Sequence, residues 1–81
     1  MYHINRGFFM NYINDKIKID FPVPYDIQDM MEQCEKHDKD DNYGAYEAKA
    51  SFLTGTLCKN AYVHHNITKK EWERIEQRYV L

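Results

Sequence analysis

Residues 66–72, Asn66-Ile67-Thr68-Lys69-Lys70-Glu71-Trp72, decide how this chain reads. Thr68 and Glu71 stand three apart, the spacing of a capping box. Each side chain can take a backbone N–H that the first helical turn leaves without a partner. Ile67 just before the cap and Trp72 four residues after it have the spacing of a hydrophobic staple, which fixes the angle of entry. A helix therefore starts at Lys69, and Trp72, Ile75 and Tyr79 recur along one side of it to about residue 79. On that spacing Lys70, Arg74 and Arg78 form a stripe on the opposite side.

Working back from this corner, residues 43 to about 64 or 65 carry Tyr46, Ala50, Leu53, Leu57 and Ala61 at helical intervals, and Ala45, Ala48 and Phe52 widen the apolar face. A face that wide is expected of a central helix packed on more than one side. Its length would be about 33 Å at 1.5 Å per residue. Gly55 in its interior costs about 1 kcal/mol relative to Ala, and suggests close packing or a kink. Asn66 is placed as its left-handed C-cap. An earlier helix, from about Asp26 to about Lys39, presents Ile27, Met30, Met31, Cys34 and His37 as one stripe. The polar run from Asp38 to Asn42 then reads as a solvated acidic turn.

Before these helices, residues 16–23 alternate strictly, with Ile17, Ile19, Phe21 and Val23 on one side. Period two predicts a half-buried strand, and Pro22 puts it at an edge or an end. Asn14-Asp15 is a turn signal, so Phe8, Met10 and Tyr12 are placed as the first arm of a hairpin. The fold class expected is α+β, mainly helical. It comprises an N-terminal strand or β-hairpin followed by three helices, the last two forming a tight helical corner. Residues 1–81 make one domain, with 1–24 as an extended or hairpin arm and 25–81 as a three-helix unit.

Composition narrows the function classes. Apolar residues are 43% and charged residues 30%, which suits a globular chain. No apolar run approaches the roughly 20 residues that cross a bilayer, so no membrane association is inferred. The two cysteines, Cys34 and Cys58, are too few for a disulfide framework and fall at core positions, which predicts free thiols and a cytoplasmic location. Twelve aromatic residues are many for 81, since a chain this short buries only roughly 60% of its unfolded surface. Surplus aromatics point to a partner or to a homodimer. Residues 26–47 sum to −6 and residues 59–81 to +2, so the molecule is dipolar.

Cys34 and His37 have metal-ligand spacing, but Cys58 lies six and seven residues from His64 and His65, too far along a helix to share one ion. Asp38, Asp40 and Asn42 open like a calcium loop, yet Tyr43 and Lys49 occupy the positions that need Gly and Glu. The lone serine, Ser51, sits mid-helix, and three glycines supply no phosphate loop. The expectation is therefore a non-enzymatic protein-interaction or regulatory module, with no cofactor, metal or small-molecule substrate. Its partner is another protein, itself included. The alternative is a helix-turn-helix-like nucleic-acid-binding protein using Lys69, Lys70, Arg74 and Arg78 of the last helix. Loss of the cap provides a first test: Thr68→Ala should lower stability by about 0.5–2 kcal/mol in denaturant unfolding.

Overall fold

A computed structural model of the chain describes residues 11–80. Helix α1 spans Tyr25–Lys39, α2 Tyr43–Phe52, α3 Cys58–Val63 and α4 Lys69–Tyr79. Helices α2 and α3 are joined without a break by a π-helical turn, Leu53–Leu57, so that they run on as one rod. Three rods result, in the ranges the periodicity predicts. Helix α1 lies mainly against α2 and the π-turn, and α4 against α3 and the π-turn. The core between them holds Ile27, Met31, Cys34, Tyr46, Leu53 and Ile75, with Ile13 and Ile67 closing its ends.

The α+β expectation is corrected: among the described residues there is no strand. The alternation of residues 16–23 survives as an alternation of exposure. Ile17, Ile19, Phe21 and Val23 are half-buried, while Lys16, Lys18, Asp20 and Pro22 are exposed. What is lacking is a ladder. Arg78 Nη1 donates to the Ile17 carbonyl at 2.7 Å, and Arg74 Nε to the Lys18 carbonyl at 3.0 Å. Arginines of α4 thus supply donors that a neighbouring strand would otherwise provide. Phe8 and Met10, placed in the other arm of a hairpin, lie outside the described residues.

Residues 11–24 instead form a strap across the helices, and Asp38 anchors its beginning. Asp38 is fully buried. Its carboxylate accepts the backbone N–H groups of Asn11, Tyr12 and Ile13 at 2.8, 2.7 and 2.9 Å. Three successive amides converging on one anion make a backbone nest. The Asn11 side-chain amide donates to the Asp38 carbonyl at 2.6 Å. A negative charge in the last turn of a helix is opposed by the helix dipole, and burial adds a desolvation cost. The three amides offset both. The reading of Asp38 as part of a solvated turn is therefore wrong; the exposed residues of that run are Lys39, Asp40, Asp41 and Asn42.

The π-turn explains a second departure. The Cys58 N–H bonds to the Leu53 carbonyl, five residues back rather than four. The extra residue rotates the register, bringing Cys58 fully inside and leaving Leu57 only half-buried. Thr54 Oγ1 donates to the Ala50 carbonyl at 3.0 Å, and the Thr54 carbonyl accepts the Trp72 indole N–H at 2.9 Å. The indole thus ties α4 to the turn. Gly55 is not there for close internal packing, because a Cβ added to it would meet nothing within 4 Å.

The corner between α3 and α4 holds as read. Thr68 accepts the Glu71 N–H at 3.1 Å, and Glu71 accepts the Thr68 N–H at 2.9 Å. The left-handed residue of that turn is His65, at φ 63°, and not Asn66. Asp38→Ala removes the acceptor of three amide bonds, that of Ile13 buried and those of Asn11 and Tyr12 part-buried, and should cost about 3 kcal/mol. Asp40→Ala, at an exposed site two residues on, should leave the denaturant midpoint nearly unchanged.

Candidate functional site

The four basic residues of α4 do not share one environment. Lys69 and Lys70 are exposed in its first turn. Lys69 Nζ lies 5.9 Å from the Tyr62 ring and 5.2 Å from the Trp72 ring, and those rings are 5.5 Å apart. A cation there is attracted by both ring faces. Arg74 is half-buried and bound to the strap, in an open groove that Lys70 shares with Asp20, Phe21, Thr68 and Glu71. Arg78 has only 12% of its side chain exposed. It bonds the Ile17 carbonyl and stands 3.7 Å from Glu35. The outward orientation expected of it is corrected: Arg78 points into the molecule because the strap and α1 offer it acceptors there. The solvent-facing cations of α4 reduce chiefly to Lys69 and Lys70, with Glu73 and Glu76 exposed beside them.

Tyrosines connect the same elements. The Tyr46 hydroxyl donates to the Tyr79 carbonyl, and the Tyr79 hydroxyl donates to Glu35 Oε2 at 2.9 Å. The Tyr12 ring packs on Tyr43 and Tyr46, with centroids at 5.3 and 5.1 Å, and its hydroxyl donates to Asp41. These contacts absorb part of the aromatic surplus in structural roles. Burial pushes the Tyr46 and Tyr79 phenols well above their ordinary range.

What remains outside is concentrated on the rod formed by α2, the π-turn and α3. Ala48 and Phe52, expected to widen its buried face, are both exposed, Phe52 at 46%. Tyr62 and Val63 are exposed at 40% and 58%. Nine residues between 48 and 63 face solvent, and Lys59 alone among them is charged. Helix α1, by contrast, exposes Asp26, Asp29, Glu32, Lys36 and Lys39. In a chain that is 30% charged, a long helical face with one charge is an exception to the usual amphipathic pattern. The sequence hid it because the same apolar residues satisfied the expectation of a two-sided core. The only signals were Gly55 between two threonines and the lack of acidic residues between Glu47 and Glu71.

Cys34 and Cys58 are free and fully buried. Among the described residues no three His, Cys, Asp or Glu side chains are grouped as a metal site, and no helix is long and apolar enough to cross a membrane. A groove of about 190 Å³ between the start of α2 and the end of α4 includes Ser51, Tyr43 and Val80. No protein-family model, curated protein or solved structure matches this chain.

The thiols carry a pH prediction. Burial pushes both up to about 12, with Glu35 adding to the rise at Cys34 and Glu76 at Cys58. The folded state favours the neutral thiol, so their contribution is complete below the ordinary value of 9.0 and is lost as pH climbs from there towards 12. Stability measured by denaturant unfolding should fall across that alkaline window, and a Cys34→Ala, Cys58→Ala variant should lose less over the same range.

Proposed function

We propose that this protein is a non-enzymatic interaction module that binds a protein partner, itself included, through the outward face of the α2–α3 rod. The observation that carries this reading is the near absence of charge on that face, together with Phe52, Tyr62 and Val63. Protein interfaces are depleted of charge at their centres and enriched in aromatic residues. Phe52, Tyr62 and Val63 are not among the residues that make up the buried core or pack against it. The exposed residues are therefore available for contact without unfolding anything. Buried free thiols agree with a cytoplasmic setting, which belongs to the same proposal.

Affinity capture from the native cell tests this directly. The wild-type chain should retain a specific protein, and Phe52→Glu should lose it while unfolding at an unchanged midpoint. Retention by Phe52→Glu equal to wild type would remove the face from consideration.

A second reading, duplex binding through α4, draws on Lys69 and Lys70 at its exposed first turn. It requires affinity for random duplex DNA that falls steeply with salt. Since only Lys69 and Lys70 of the four cations are exposed, the expected outcome is weak binding even at low salt, and strong binding lost by Lys69→Ala, Lys70→Ala would favour this reading instead.

A further inference from the structure

We propose that the occupant of the α2–α3 face is a second copy of this chain, docked antiparallel about a two-fold axis; this rests on the reading of that face as an interaction surface. Along the rod, Gly44, Ala48, Phe52, Gly55, Lys59 and Val63 follow one another at steps of three or four, and all are exposed. Adjacent turns of one helical side have this spacing. When such a row is laid antiparallel on itself and centred between Leu53 and Thr54, Phe52 of one copy meets Gly55 of the other. Val63 then meets Gly44, and Ala48 meets Lys59. Large residues fall opposite small ones throughout. In an isologous contact each such pairing occurs twice.

Charge agrees with the same register. Glu47 flanks the row on its acidic side and Lys59 lies on its basic side, and both are exposed. The antiparallel arrangement brings Glu47 of each copy beside Lys59 of the other. A parallel pairing would oppose like charges at both places. The two glycines fit the same register. A Cβ added at Gly44 or Gly55 meets nothing within 4 Å, so the room above each lies on the outside of the molecule. Glycine in a helix permits close approach of another backbone or side chain, and here the partner's Val63 and Phe52 fill that room.

Sedimentation of the full chain over a range of concentrations tests this. The wild type should associate reversibly to a dimer. Phe52→Glu should be monomeric with an unchanged circular-dichroism melt, and Gly55→Gln, which fills the room without adding charge, should be monomeric as well. Glu47→Lys and Lys59→Glu should each weaken the dimer by about tenfold, since like charges then oppose one another twice. The double variant E47K/K59E should return the dissociation constant to near the wild-type value. A monomer at every concentration, or a dimer indifferent to Phe52→Glu, would overturn the proposal, as would a double variant no tighter than the singles. If the wild type is monomeric yet a cellular protein is captured in a Phe52-dependent way, the second copy is wrong and the interaction face stands. If both fail, both readings fall.

Discussion

Asp38 is the point on which this small structure turns. A carboxylate near the C-terminal end of a helix, taken fully out of water, is unfavourable on its own. Here it collects three consecutive backbone amides from a segment 25 to 27 residues away. The grip fixes where the strap begins. Ile13 then closes one end of the core, and the Asn14 N–H reaches the Arg78 carbonyl at 2.9 Å. From there the strap runs within reach of Arg78 and Arg74, which hold the next carbonyls. A chain of 81 residues has little core to spare, and this peripheral network recruits fourteen non-helical residues, 11–24, into the fold.

The same network sets the availability of charge. Because Arg78 and Arg74 are engaged with strap carbonyls, the basic stripe that α4 presents in sequence becomes partly an internal fastener. Arginine suits that use, since its fork of donors reaches acceptors in two directions; Arg78 contacts Ile17 and Glu35 at once. Lysine would not replace it well. Meanwhile the rod of α2 and α3 keeps one side on the core and leaves the other nearly uncharged. The surface with the least internal use is thus the one with the most apolar character, which is why the proposed contact lies there and not on α4.

Local signals were legible where short-range physics acts alone. The box at Thr68 and Glu71 and the stripes of α1 and α4 follow from spacing of three and four, and they appear at the expected residues. Long-range substitutions were not legible. Period two in residues 16–23 correctly divided half-buried from exposed side chains, yet periodicity says nothing about what bonds the backbone, and arginines rather than a strand do so. Asp38 looked like its neighbours Asp40 and Asp41 because a nest is made by amides, which no side-chain pattern reveals. Phe52 and Ala48 misled for a related reason: an apolar residue on a central helix suits a core and an interface equally, and only the observed exposure separates them. The π-turn, by shifting Cys58 inward and Leu57 outward, further blurred the helical phase.

Hydroxyl-radical footprinting across a dilution series measures most directly whether the outward face of the α2–α3 rod is a contact surface. Phe52 and Val63 should be oxidised readily in dilute purified protein and become protected as the protein is concentrated or mixed with extract of its native cell, while exposed Tyr25 on α1 reacts equally throughout. Equal reactivity of Phe52 and Val63 under all of these conditions would contradict the role assigned to that face.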